Sequence, residues 1–465
     1  MEYTVSLMRQ VLQKYERQGR VTKDLLSPIL ALDEELTDYF NEVSELNKKI
    51  WSLKRSGEDK YALEEARMER ADLKTKYDEC IDRFVKLSLD KLHDKDFQLN
   101  LNKVVCRGKD AFQLEPTLEN MLYMGMLNRN LRSCYKVQPA NRIPILRVLK
   151  SLLEENHDMI ILRLDIKSFF ESIPFAKILS KFVDDGILCP ESFKLLSQIN
   201  EAYKKQTDAN VGIPRGIPCS SFLAEIYMRD IDSRIKSMPG VYYYQRYVDD
   251  MIILICPEND HVYPKQYFKR ISNMVSKYGL KLHALGEQGK TKLIDTRKSE
   301  FQMFSYLGYS IRKSNGKVHF SLSYDKYHHY EELVHKAFKD FKYEINNGKK
   351  GALTKLLHQL RLMTSNYHLV GNKHQVMSGI YFKYPFLTTI TSLKSLDDLL
   401  KKELSHLSIE DIPMDMGHFA NKQFSRQDTL EYIVKRCSKY SFVKGYKEVR
   451  TSNISSANFR RYKNK

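Results

Sequence analysis

Nothing in these 465 residues runs apolar for long enough to cross a bilayer as a helix, which excludes a helical membrane span. The first twenty residues, MEYTVSLMRQVLQKYERQGR, hold no apolar block of the kind that heads a secreted chain. The seven cysteines, at 80, 106, 134, 189, 219, 256 and 437, stand far apart, with no CxxC spacing and an odd total. That pattern argues against a disulfide framework or a structural zinc site, and for a reducing, cytoplasmic setting. Internal repeats and long low-complexity tracts are also missing.

What is present is a chain of 54.7 kDa with 42% hydrophobic and 29% charged residues, enough to build two or three folded domains. Lysine and arginine outnumber the acids 76 to 58, a formal charge of +18 that suits a polyanionic partner such as nucleic acid. Half of that excess sits at one end, because residues 435–465 carry ten Lys/Arg and one acid, Glu448. Tyr440, Phe442, Tyr446, Phe459 and Tyr462 are interleaved with these charges. Cations neutralise phosphates and rings offer stacking surfaces to bases, so single-stranded nucleic acid is one reading and a solvated basic tail the other.

From Leu32 the apolar residues recur at Leu36, Tyr39, Val43, Leu46, Ile50 and Leu53, alternately four and three apart, the stripe of a coiled-coil helix. RSGED breaks the pattern, and it resumes through Leu63, Ala66, Leu73, Tyr77, Cys80, Phe84 and Leu87. This predicts two antiparallel helices that pack on each other, with an oligomer contact as the alternative use of the stripe. Residues 109–155 read as mostly helical. From Met159 to Arg312 short strand-like runs (MIILRL, VYYYQRY, MIILIC, SYLGYSI) mix with helices, as in an α+β unit with hairpin-connected strands, and after Asp325 helices return.

Two stretches place acids at the ends of strands. MIILRLDIKSFFESIP stops its apolar run at Asp165, with Ile161, Arg163 and Asp165 on one face of the strand. VYYYQRYVDDMIILI puts Asp249 and Asp250 between two strand-forming runs. Singly, Asp165 reads as a helix cap and the pair as turn residues. Together, on neighbouring strands of an antiparallel sheet, the three offer oxygen ligands for hard divalent cations, the requirement of nucleotidyl transfer. A second Val-Asp-Asp, in FVDDGIL at residues 182–188, has no flanking strands, so Asp184 and Asp185 read as solvated loop residues.

In this order the motifs resemble those of a reverse transcriptase, over roughly residues 109–382. The resemblance implies an α+β right-hand polymerase of fingers, palm and thumb, with an antiparallel palm sheet and a mainly helical C-terminal part. It divides the chain into a helical N-terminal extension with its coiled-coil-like hairpin (1–102), fingers and palm (103–324), a helical thumb (325–407) and a basic C-terminal segment (408–465). LRLDIKSFFESI is similar to the first palm motif, implying that Asp165 and the Ile166 carbonyl bind metal and that Phe170 is the gate that excludes a ribose 2′-hydroxyl. GIPRGIPCSSFLAEIYM resembles the second, whose turn at Gly216 lies along template and incoming nucleotide. YVDD resembles the catalytic hairpin, so Asp165, Asp249 and Asp250 would hold two Mg2+ ions. YGLKLHALGEQGKTKLI looks like the next motif, implying that Lys290 contacts the leaving pyrophosphate, with a solvated lysine as the alternative, and FSYLGYSI resembles the primer grip around Leu307 and Gly308. Arg129 and Arg142 match the fingers loosely, with Arg142 as a contact to the triphosphate of a dNTP.

One departure is Arg215, where the family usually has Gln. The N-terminal extension, SSFLAEIYM, YQRYVDD and LRLMTSNYHLVGNKHQVMSGIYF look most like bacterial defence reverse transcriptases of the abortive-infection and unknown-group kind. No RNase H-like acid set or Cys/His cluster follows the thumb in the sequence. That likeness implies RNA and DNA as partners, in some cases a noncoding RNA or a homo-oligomer, and priming from a protein hydroxyl, for which Tyr440, Tyr446, Thr451, Ser452 and Tyr462 are available. A retron or group II intron-like reverse transcriptase, and a non-catalytic nucleic-acid-binding scaffold with a polymerase fold, are the alternatives.

Overall fold

In the computed structural model the described residues are 2–455 apart from 58, 107, 156, 208, 258–262, 298–302, 371–375, 413–417, 420–421 and 424. The chain forms two compact units that alternate along it. The first comprises Met1–Ala140, Ile166–Ser237 and Arg270–Leu282, and the second Asn141–Asp165, Met238–Lys269 and His283–Lys465.

The first unit is mainly helical. Its hairpin pairs the helices Tyr39–Ser56 and Lys60–His93, with Leu46, Ile50 and Ala66 buried between them and Leu63 and Leu73 packed alongside. The predicted stripe is thus used within the hairpin, but its first residue, Leu32, is exposed, because an earlier helix containing Pro28 ends at Leu30 and the hairpin begins only at Tyr39. Two strands, β1 (Leu101–Cys106) and β2 (Lys109–Leu114), pair antiparallel. The expectation of helix from residue 109 therefore gives way over KDAFQL, where an extended run pairs with β1 and buries Ala111 and Phe112. Further helices include Leu118–Tyr135, Phe175–Asp185, Pro190–Thr207 and Ser220–Lys236.

The second unit is built on an antiparallel sheet of β3 (Ile160–Asp165), β4 (Val241–Tyr247), β5 (Asp250–Ile255) and β6 (Lys292–Asp295), in the order β4-β5-β3-β6. The two inner strands are covered on both faces: Ile160, Ile161, Leu162 and Leu164 of β3, and Met251 to Ile255 of β5, are fully buried. Continuous apolar runs, not alternating ones, are what a doubly covered strand requires. A second sheet, β7 (Phe304–Tyr306), β8 (Tyr309–Ser314) and β9 (Lys317–Leu322), follows as a meander.

Helices Tyr324–Asn346, Ala352–Thr364 and Thr391–Ser405 agree with the predicted return to helix. Between the last two, however, lie β10 (Asn366–Val370) and β11 (Val376–Gly379). After a short pairing of β12 (His418–Phe419) with β13 (Lys422–Gln423), the basic segment folds into helices Arg426–Cys437 and Phe442–Glu448 and ends in β14 (Thr451–Ser455), which runs parallel to β10. A solvated tail through these residues is not what forms. Ile433, Cys437, Phe442 and Ile454 are buried among the charges, and Asp397 accepts from the Ser441 hydroxyl at 2.6 Å and the Phe442 amide at 2.6 Å. Among the described residues, no helix is long and apolar enough to cross a membrane.

Candidate active site

The register of the palm-like sheet brings the acids together. Asp165 and Asp250 are directly opposed partners across β3 and β5, so their side chains leave the same face, and Tyr247 opposes Asp250 across the hairpin. Only Val248 and Asp249 remain to turn the chain. Val248 has a φ of +61°, a left-handed conformation that a β-branched residue adopts at a cost of about 1–3 kcal/mol. Arg246, buried in β4, donates to the Val248 carbonyl at 2.9 Å and helps to hold the turn.

Burial and mutual repulsion act on this trio. Burial, then the charge of Asp249, raises the Asp165 carboxyl above its ordinary value, against the pull of Lys290, Arg163 and His283. Asp250 is pushed up to about 6, first by burial and further by Asp165 and Asp249, although Arg163 opposes this. Acids held in such a position favour a nearby cation. Carboxylate oxygens are the donors that Mg2+ and related hard ions take, so the residues fit a divalent cation. Among the described residues, no group of three or more His, Cys, Asp and Glu is gathered closely enough to hold a metal ion as they stand.

The protein's own cations occupy part of that role. The Arg163 guanidinium makes a two-pronged pair with Asp250, Nε to Oδ1 at 3.0 Å and Nη2 to Oδ2 at 3.2 Å. Lys290 Nζ stands 4.0 Å from Asp165 Oδ1 and 3.4 Å from His283 Nε2. His283 Nε2 is itself 3.3 Å from Asp165 Oδ1, and its Nδ1 is 3.0 Å from Glu287. Arg163 and His283 had no role in the sequence reading. The signal for Arg163 was its placement two residues before Asp165, on the same strand face; His283 lay within a stretch singled out for Lys290 alone.

The remaining predicted residues are distributed over both units. Ile166 begins a segment of the first unit, where it is buried and bridged to Leu282. Phe170 also belongs there; Arg215 lies over its ring at 5.5 Å and pairs with Glu171 at 2.9 Å. The Arg at this position thus has partners within its own unit. Gly216 has a φ of +101°, and a Cβ there would meet the Phe112 carbonyl at 2.6 Å, so the turn needs glycine on two counts. Arg129 donates to Gln10 at 3.2 Å.

In the second unit Arg142 is engaged by the Lys383 carbonyl and the Tyr384 ring. Leu307 (φ +46°) and Gly308 (φ +85°) form the two-residue tip between β7 and β8, a turn with both central residues left-handed. Of the hydroxyls, Tyr446 donates to the Leu387 carbonyl at 3.1 Å and Ser452 accepts from Arg361 at 3.2 Å. Tyr440 is half-buried and Thr451 exposed, whereas Tyr462 lies outside the described residues.

Adjacent strands that carry acids on one face of an antiparallel sheet are consistent with the palm of a right-hand polymerase. Residues 83–311, just under half of the chain, match the family described as reverse transcriptase (RNA-dependent DNA polymerase). Over this stretch the chain is similar to a reverse transcriptase domain. Among solved structures it is similar to telomerase from Candida albicans in complex with a fragment of telomeric RNA, at 10% identity and a TM-score of 0.33, over 75% of this chain and 64% of that one. Telomerase from Candida tropicalis, also with such a fragment, gives 12% identity and a TM-score of 0.35, over 76% and 59%. The chain thus spans about three-fifths of the length of these structures.

Proposed function

We propose that this protein is a DNA polymerase of reverse transcriptase type that adds dNTPs to a primer 3′-hydroxyl or to a hydroxyl of the protein itself, in antiphage defence. The observation that carries the chemistry is the opposed register of Asp165 and Asp250, with Asp249 at the adjoining turn. The defence role rests on the sequence resemblance alone.

Asp165, Asp249 and Asp250 would together hold the Mg2+ ions. Two such ions, when bound, lower the pKa of the attacking hydroxyl and neutralise charge on the leaving phosphates. The chain's own residues do the rest. Lys290 places a fixed positive charge beside the acids, where a pyrophosphate would collect charge. Phe170 serves as the sugar gate, Gly216 lets backbone approach the nucleotide, Arg142 contacts its triphosphate, and Leu307 and Gly308 steer the primer end. RNA and DNA are the macromolecular partners, with a noncoding RNA and self-association as further ones.

Purified protein supplied with dNTPs and Mg2+ should incorporate label, and Asp249→Ala with Asp250→Ala should abolish it. Normal incorporation by that double variant overturns the reading. Sequencing the product then separates the alternatives: homopolymer or short-repeat DNA supports the defence polymerase, and faithful copying of a tightly bound structured RNA a retron or intron-type enzyme. RNA binding without incorporation under any metal condition favours a scaffold. Label that stays on the protein through denaturing electrophoresis supports priming from Tyr440, Tyr446, Thr451, Ser452 or Tyr462, and label on free DNA alone opposes it.

A further inference from the structure

Arg163 spends its guanidinium in two directions. Nε and Nη2 take both oxygens of Asp250, and Nη1 donates to the Gly289 carbonyl at 2.8 Å. Gly289 is the residue before Lys290, in a loop that closes on itself. The Glu287 carboxylate accepts from the Ala284 amide at 2.8 Å and meets His283, and the Gly286 amide donates to the Thr291 carbonyl at 3.1 Å. These bonds brace the loop internally. It is tied to β3 by the His283 amide, which donates to the Asp165 carbonyl at 3.0 Å, by the His283 and Lys290 side chains beside the Asp165 carboxylate, and by the guanidinium of Arg163.

We propose that Arg163 is a positioning residue: it locks the loop bearing His283 and Lys290 in register with the catalytic hairpin, using Asp250 as its anchor. The inference rests on the polymerase reading for its kinetic consequence, though not for its structural one. Both Asp250 oxygens accept from Arg163, which fixes that side chain opposite Asp165. The side chain of Arg163 is 13% exposed and that of Asp250 17%. A pair so withdrawn from water contributes little net stability, because desolvation offsets the attraction, so fixing a register is the better account of it. Lysine cannot substitute, since a single ammonium lacks the planar fork that serves both partners at once.

The test uses Arg163→Lys, which keeps the charge, and Asp250→Asn, which keeps the shape of the anchor. Thermal melting first confirms that each variant folds. Amide hydrogen exchange across residues 284–291 is then compared with wild type, and both variants should exchange faster there. Unchanged exchange in both overturns the proposal. Single-turnover dNTP incorporation gives the second arm: Arg163→Lys should slow it about tenfold, and by less than about twofold when Lys290 is already Ala, because the two residues act as one unit. Losses that multiply in the double variant also overturn it. Absence of incorporation by the wild-type protein would refute the polymerase reading, while the exchange measurement would still decide the role of Arg163.

Discussion

Val-Asp-Asp occurs twice in this chain, and the two copies have opposite fates. At residues 183–185 the triplet closes a helix, Phe175–Asp185, in which Phe175, Ile178 and Phe182 supply the buried stripe. Asp185 accepts from the Tyr135 hydroxyl at 2.9 Å and from Lys181 at 3.2 Å. It is a satisfied surface acid, though on a helix end and not in the loop that its composition suggests. At residues 248–250 the triplet spans a strained turn and a strand start, and its acids face a third one. The lesson is that the triplet carries no chemistry by itself; the flanking periodicity decides whether its carboxylates are paired off or crowded together.

The sharpest way to break this comparison is to neutralise an acid of the crowded trio. Asp249→Asn or Asp165→Asn should lower dNTP incorporation by about a thousandfold, the several kcal/mol that a bound cation supplies to a developing charge. Chelation with EDTA should do the same and be reversed by added Mg2+. Incorporation within a few-fold of wild type in either acid variant would remove these residues from the site. Next in size is the sheet that holds the second copy in place. Ile253→Ala, on the fully buried β5, should cost about 2–5 kcal/mol in denaturant unfolding because the cavity cannot collapse between covered faces.

How far this was readable in advance follows from the range of the interactions. The β3 and β5 runs were legible because burial on both faces leaves a continuous apolar signature, and the hairpin around Asp249 because its strands are adjacent in sequence. The helical hairpin was legible from its stripe. By contrast β14 pairs with β10 across some eighty residues, Asn366 opposite Thr451, and nothing local in a basic segment announces a distant strand partner. KDAFQL is short and its buried residues, Ala111 and Phe112, are consecutive, so no period of two sets it apart as a strand. His283 and Arg163 escaped for a different reason: their roles arise from three-dimensional pairing with Asp165 and Asp250, and a histidine or arginine in a polar stretch looks the same in sequence whether solvated or engaged. The alternation of two units along one chain leaves no compositional boundary at all.

Smaller effects sharpen the comparison from the side of the turn. Val248→Gly should raise stability by about 1 kcal/mol in thermal or denaturant unfolding, since relief of the left-handed strain exceeds the extra freedom glycine gives the unfolded chain. The same substitution should slow incorporation, because the constraint that presents Asp249 is lost. A destabilised Val248→Gly protein with normal activity would show that the turn is not held under tension for the sake of the acid.

The smallest effect belongs to the first copy. Asp185→Asn keeps an oxygen that can accept from Tyr135, and it loses only an exposed pair with Lys181 one helical turn away, a contact of about 0.3–0.5 kcal/mol that salt screens. Unfolding midpoints of the variant and wild type should therefore converge as ionic strength rises, and dNTP incorporation should be unchanged. If Asp185→Asn instead removed activity as Asp249→Asn is expected to, identical triplets would be doing equivalent work in a helix end and a sheet hairpin. The physical distinction between a paired surface acid and a crowded, half-buried one would then have no bearing on function in this chain.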